Sequence, residues 1–169
     1  MNLMKIIKKR RSIRKFTDES IEREKIERLM EAARWAPSGG NLQPYVIKSV
    51  KGEKVDEIQR FSPGIYGRPL VILVFCVDEK KLEKKGGDEA IKYMDIAIAG
   101  ENVCLMATEM GLGTCFIRSF NKKAIDKILD LDERYEPELI ILVGYPDEEP
   151  DDPFKKKLAD LVEWEGWDD

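Results

Sequence analysis

The sequence predicts a layered domain, with helices packed on both faces of one β-sheet, and three observations predict it. Helical and strand-like apolar spacings alternate from residue 20 to residue 145, as in mixed α and β domains. Leu70 to Val77, LVILVFCV, is apolar at every position, as a central strand covered on both sides must be. The stretch Asp88 to Met110 is long enough for a helix of roughly 34 Å. Its IAIA centre, residues 96 to 99, is apolar all round, the mark of a buried helix.

The elements follow in order. From Ser20, a residue of N-cap type, apolar residues recur at Ile26, Leu29, Met30, Ala33 and Trp35, the helical spacing. Pro37 ends that helix. Pro44 to Val50 reads as a strand opened by proline, and Glu53 to Phe61 as a short helix with Val55 and Ile58 inward. After the apolar strand and the long helix come a strand in LGTCFIR (112 to 118) and a helix from an Asn121 cap with Ala124, Ile125, Ile128 and Leu129 on one face. A strand in ELIILVGY (138 to 145) closes the series. The order is α, α, β, α, β, α, β, α, β and a tail. No GxGxxG follows an early strand, and GLG at 111 to 113 lies between a helix and a strand, so the dinucleotide-binding fingerprint is absent. A chain of this size has few ways to cover both sides of an apolar helix, and a homodimer that buries it is the preferred explanation.

Composition narrows the chemistry. The 169 residues suit one domain. Lys plus Arg number 29 against 33 Asp plus Glu, a net charge of −4, which argues against general polyanion binding. Histidine is absent, which removes Ser/His/Asp triads, Cys/His dyads and HExxH zinc sites. Cys76, Cys104 and Cys115 show no CxxC spacing, and an odd count points to a reducing compartment rather than a disulfide framework. With no apolar run near the roughly 20 residues that span a bilayer, a soluble, cytoplasmic protein is expected. Charge is uneven: residues 1 to 15 hold seven bases and no acid, whereas Asp147, Glu148, Glu149, Asp151 and Asp152 form an acidic stretch.

Three segments could carry chemistry. RRSIR, Arg10 to Arg14, offers forked donors and a hydroxyl that suit a phosphate monoester; taken alone it reads rather as a solvated basic turn, because short basic clusters are common. In APSGGNLQPY, Ala36 to Tyr45, Pro37, Gly39 and Gly40 enforce a loop whose backbone can approach a flat ligand, while Ser38, Asn41 and Gln43 supply polar groups. GLGTCFIRSF, Gly111 to Phe120, could aim backbone N–H groups at a bound ring, although a glycine after a long helix is often only a C-cap. Cys115 reads as a packed small hydrophobe. Asp95, Glu101 and Asn102 read as paired polar groups at a subunit contact rather than a catalytic carboxylate pair.

Taken in order, these segments resemble the FMN-dependent nitroreductase superfamily. The matching elements are RRSIRKF, APSGGNLQPY, the apolar helix running into GLGTCFI, the LVGYP strand end and KKKLADLVEWEGW. The resemblance implies an α+β fold, three-layer α/β/α with a mostly antiparallel central sheet, and an intertwined homodimer. Residues 1–169 would form one FMN-binding domain, with 147–169 as a C-terminal extension packing on the partner subunit. It further implies FMN as cofactor, held by Arg10, Arg11, Ser12 and Arg14 at the phosphate and ribityl chain. Pro37, Ser38, Gly39 and Asn41 would lie against the isoalloxazine, and Phe116, Ile117 and Arg118 would pass beside it from the other subunit, with the Arg118 N–H facing N5. Lys155 and Lys156 fall where an Arg-Lys pair is expected at the phosphate, Lys155 lacking the guanidinium fork. Arg14, and more weakly Arg68, are cations for the N1 and O2 side.

The implied activity is ping-pong hydride transfer from NADH or NADPH through flavin N5 to an electron-poor acceptor, a nitroaromatic, a quinone or a flavin-like molecule. No metal, nucleic acid or membrane partner is expected. A flavin storage or carrier protein without turnover is the alternative, and a basic arm for a nucleic-acid or protein partner a further one. The stretch 61 to 90, where many relatives carry a substrate-covering insertion, is short here.

Overall fold

The computed structural model describes residues 2–84, 86 and 89–167. Helix α1 (Leu3–Lys9) is capped by the Asn2 side chain, which accepts the Met4 N–H at 2.9 Å. Helix α2 (Arg23–Arg34) begins after Glu22 rather than at Ser20. Glu22 explains the later start: its carboxylate accepts from the Tyr145 hydroxyl at 3.0 Å and pairs with Lys25 at 3.1 Å, so the chain is fixed there before it coils. Trp35, counted with the apolar stripe, instead caps the helix and is exposed.

Strand β1 (Tyr45–Lys51), helix α3 (Glu53–Arg60) and strand β2 (Val71–Asp78) follow. A short helix α4 (Glu79–Lys84) is additional to the expected order; it buries Leu82 alone, too little to show as a period. Helix α5 (Glu89–Glu109) is the long apolar helix, and Asp88, where its start is expected, lies outside the described residues. Strand β3 (Gly113–Ile117), helix α6 (Lys122–Leu129), capped by the Asn121 side chain, and strand β4 (Tyr135–Gly144) complete the domain. Strand β4 starts before Glu138 and runs through Pro137. The proline lies past the end of β3 and at a register shift opposite β2, places where a missing N–H is tolerated.

The sheet has the order β1-β2-β4-β3, and every neighbouring pair is antiparallel. Alternation of side chains decides the layers. Leu73, Phe75, Ile141 and Val143 face a core shared with Leu29 of α2 and Ile96, Ala99 and Val103 of α5. Ile72, Val74, Ile140 and Leu142 face a second core with Val55 and Ile58 of α3 and Ile125 of α6. The result is a three-layer α/β/α sandwich, and β2 is apolar throughout because both its faces are covered.

Helix α5 lies close on the sheet at Gly100, where a Cβ would come within 2.9 Å of the Phe116 ring and 3.1 Å of Ile141. Its opposite side is open in the single chain: Met94 is 60% exposed and Ile98 38%. At one end of the sheet, Glu138 of β4 is fully buried. It pairs with Lys92 of α5 at 2.9 Å and Lys122 of α6 at 2.8 Å, so one carboxylate joins the helices on both faces. Lys92 also reaches Glu79 at 2.8 Å.

Burial alone would raise the Glu138 pKa, but the Lys122 and Lys92 ammoniums prevail and hold it below the usual carboxylate value. A folded pKa below the unfolded one gives stability that is complete above the unfolded pKa and disappears as pH falls through the folded one. Glu138→Ala is therefore expected to lower the unfolding free energy at neutral pH by about 3 kcal/mol, as removal of one partner from a buried ion pair does. Urea melts should also show a shallower loss of stability below about pH 4 in this variant than in the wild type.

Candidate active site

Residues 10 to 16 run extended beside β3. Ser12 bridges Thr114, and the Ile13 N–H donates to the Thr114 carbonyl at 2.8 Å. Gly113 makes this approach possible, since a Cβ there would lie 2.7 Å from Ile13. An extended segment turns alternate side chains to opposite sides, which groups Arg10, Ser12 and Arg14 on one side and Arg11 with Ile13 on the other. Arg10 reaches Glu101 of α5 at 3.4 Å, while Arg14 is exposed, with a long 3.4 Å contact to the Ser12 carbonyl. Arg11 is engaged elsewhere: it donates to the carbonyls of Lys8 at 2.6 Å and Arg10 at 2.9 Å and pairs with Asp152.

The second segment follows α2. Pro37 cannot continue the helix, and a single 3₁₀ turn, Gly39–Asn41, leads to β1. The Ser38 hydroxyl accepts the Gln43 N–H at 3.0 Å, and the Gln43 side chain donates to the Asn41 carbonyl at 3.0 Å. The Gly39 N–H donates to Asp95 Oδ1 of α5 at 2.9 Å.

At the end of β3, Phe116 packs on α5 and Ile117 is buried on the opposite face of the sheet, so only their backbone could approach one ligand together. The Arg118 guanidinium lies over the Tyr93 ring at 4.6 Å and 3.9 Å from Glu138. The basic loop and the β3 end, expected from different subunits, are side by side in one chain. The turn at Gly39 is elsewhere. At 100° per residue, Asp95, which holds the turn, lies roughly 140° around α5 from Gly100, which holds Phe116.

Asp95, Glu101 and Asn102 are all paired, but within the chain: Asn102 donates to the Ala32 carbonyl at 3.1 Å. Lys155 and Lys156 are exposed on the segment that follows Asp152. Burial pushes the Cys104 and Cys76 thiols up to about 12 and raises that of Cys115, which fits packed hydrophobes and not nucleophiles. Glu79, Glu136 and Glu138 converge within 4.8 Å, and the ammoniums of Lys92 and Lys122 meet their charge.

Sequence reasoning underrated the loop at residues 61 to 69. The Gly64 N–H donates to the Ser119 carbonyl at 3.2 Å, and a Cβ at Gly64 would lie 3.0 Å from Ile117. Gly67, at φ +75°, is so close to Arg14 that a Cβ would lie 2.1 Å from its carbonyl oxygen. The loop thus joins the basic segment to the β3 end and displays Tyr66, 64% exposed, between the two contacts. The glycines on either side of Ile65 and Tyr66 were the available signal.

A family model described as the nitroreductase family matches residues 7–63 and 59–145. The chain belongs to the nitroreductase family. An Archaeoglobus fulgidus protein described as a candidate NADH dehydrogenase/NAD(P)H nitroreductase is 33% identical over 156 residues, covering 88% of this chain and 87% of its own. A Clostridium difficile nitroreductase family protein superposes with a TM-score of 0.85 at 27% identity, covering 99% of this chain and 100% of its own. A candidate nitroreductase of Desulfovibrio desulfuricans, solved in complex with FMN, gives a TM-score of 0.86 at 26% identity and covers 99% of this chain and 98% of its own. Among the described residues of this nitroreductase-family chain, no helix is long and apolar enough to cross a membrane.

The Gly67 contact can be tested directly. Gly67→Ala forces a side chain into a left-handed position and onto the Arg14 carbonyl, and should cost about 2 kcal/mol in chemical denaturation. Ala at Gly86, which has a similar φ of +67° and open space around it, should cost less.

Proposed function

We propose that this nitroreductase-family protein is an FMN-dependent NAD(P)H oxidoreductase that reduces electron-poor acceptors such as nitroaromatics, quinones or flavin-like molecules. The observation that carries the reading is the placement of Arg10, Ser12 and Arg14 on one side of an extended segment fastened to β3. Two guanidiniums and a hydroxyl on one side match a phosphate dianion, and Arg14 keeps its guanidinium in solvent where a ligand can take it. The donor set therefore fits the phosphate end of FMN. Arg11, paired with Asp152 in the single chain, is the third guanidinium of this loop and is proposed for the same phosphate. Names of relatives support the donor: a Staphylococcus aureus relative, 27% identical over 174 residues, is an NADPH-dependent oxidoreductase, covering 90% of this chain and 68% of its own.

The chemistry supplied by a bound FMN is two-electron transfer between a nicotinamide and an acceptor that occupy the same place in turn. The chain's own residues supply position and charge. Arg10, Ser12 and Arg14 would hold the phosphate and ribityl chain, and Lys155 and Lys156, exposed in the single chain, are the further cations proposed for the phosphate. Pro37, Ser38, Gly39 and Asn41 form the turn against the ring, and the backbone of Phe116, Ile117 and Arg118 lines its other edge. Arg14, where it reaches past the phosphate and ribityl chain, and more weakly Arg68 would supply positive charge on the N1 and O2 side of the ring.

Attachment of the turn and the basic loop to different sides of α5 supports a reading in which one complete site draws on two chains. We read residues 1–169 as a single domain whose 147–169 extension packs on a partner subunit. Phe154, 94% exposed, and Leu158, Leu161, Trp164 and Trp167, also exposed, support that reading. Light scattering at micromolar concentration is expected to show a dimer.

The decisive experiment is reconstitution with FMN, desalting, and anaerobic addition of NADH and then NADPH. A retained band near about 450 nm that bleaches with either donor is expected; a band that neither donor bleaches would favour a carrier role. Arg10→Ala with Arg14→Ala should weaken FMN binding by at least about tenfold, and unchanged flavin content in that variant would overturn the phosphate assignment.

A further inference from the structure

The turn after α2 has an uncommon shape. Gly40, Asn41 and Gln43 have φ of +55°, +54° and +49°, a left-handed region that glycine adopts freely, Asn more readily than most residues, and Gln rarely. Non-glycine residues there cost about 1–3 kcal/mol each unless their surroundings enforce the conformation. The Ser38–Gln43 and Gln43–Asn41 hydrogen bonds close the turn on itself. Apart from a 3.5 Å contact from Lys81 to the Gln43 carbonyl, they do not attach it to the body of the protein.

The attachment comes from α5. Asp95 is 2% exposed, and its Oδ1 accepts the Gly39 N–H. Its Oδ2 is buried without a hydrogen-bond partner. A buried acceptor left unmet costs about 1–3 kcal/mol, more for a charged group. For stability alone an apolar side chain would serve this helix position better, so the carboxylate is explained by what it holds. Gly39 packs closely on α5, since a Cβ there would lie 2.9 Å from the Ile91 side chain. The carboxylate and the packing at Ile91 together set the Gly39 backbone.

Resting on the FMN reading above, we propose that Asp95 is a positioning residue for the flavin. It acts through Gly39, fixing the turn whose Ser38 and Asn41 groups would meet the ring, and does not touch the cofactor. This role separates cofactor affinity from fold stability, because the Asp95 bond helps to fix the turn while Asp95 belongs to neither apolar core.

The test uses the full chain as wild type, Asp95→Asn and Asp95→Ala, with FMN titration and, on the flavin-free proteins, amide hydrogen exchange. Asn keeps an acceptor for the Gly39 N–H, so Asp95→Asn is expected to bind FMN within about threefold of wild type. Asp95→Ala is expected to bind at least about tenfold more weakly. In that variant the amides of residues 39 to 43 should exchange faster, while those of α5 and β4 keep wild-type rates. Wild-type FMN affinity in Asp95→Ala would overturn the proposal. So would faster exchange spread through α5 and the sheet, which would make Asp95 a core residue only. If the wild type takes up no FMN, the cofactor reading and the flavin role of Asp95 fall together, whereas FMN bound by the wild type with unchanged exchange at residues 39 to 43 in Asp95→Ala overturns the Asp95 role alone.

Discussion

Helix α5 is the element on which the rest of the structure depends: it is packed on the sheet along one side, and in the single chain its other side exposes Met94 and Ile98. Its inner side, with Ile96, Ala99, Val103 and Ala107, completes the core against the sheet and α2. Along its length it also holds each segment with a claim on the ligand: Tyr93 under Arg118, Asp95 under Gly39, Gly100 against Phe116, and Glu101 on Arg10. A helix that anchors chemistry on several sides while leaving Met94 and Ile98 exposed is suited to lie between two chains. Burial of apolar area at about 25 cal/mol per Å² then favours association, and the same association would bring the turn of one chain to the basic loop of another.

The two ends of the chain are joined by charge and backbone together. Glu148 Oε1 accepts the N–H groups of Arg14 at 2.5 Å and Lys15 at 3.1 Å, and Asp152 pairs with Arg11. The Asp147 N–H donates to the Lys15 carbonyl and the Thr17 N–H to the Tyr145 carbonyl, both at 2.9 Å. Exposed ion pairs alone contribute little, so it is the backbone bonds that set this register. The uneven charge of the sequence thus acquires a local meaning: the acidic stretch clasps the basic loop, and the apolar side chains beyond Asp152 are left exposed on the single chain.

Much of this was legible in the residues. The two-faced apolarity of β2, the helical period of α2 and the Asn121 cap follow from local patterns, and local patterns report local structure. Antiparallel pairing did not, because an alternation of helices and strands suits either direction, and only the family resemblance pointed to it. The start of α2 depends on Tyr145, far along the chain, and α4 is too short for a period. In the candidate site, the phosphate-binding reading of Arg10, Arg11, Ser12 and Arg14 came from the family resemblance, because a short basic cluster by itself also suits a solvated turn. The diversion of Arg11 to Asp152, 141 residues away, and the bond from Asp95 to Gly39, 56 residues away, depend on tertiary contacts that no spacing rule reports.

The central claim is that one site is built from two chains. Subunit mixing tests it most directly, with one chain carrying Arg10→Ala and Arg14→Ala and the other Gly39→Ala, each lacking flavin alone, unfolded and refolded together in equal amounts. In a two-fold dimer with shared sites, half of the dimers are mixed, and each mixed dimer has one site free of substitutions. Bound FMN should return to about a quarter of the wild-type content. A mixture that stays as empty as its parents would place the whole site within a single chain and contradict the account.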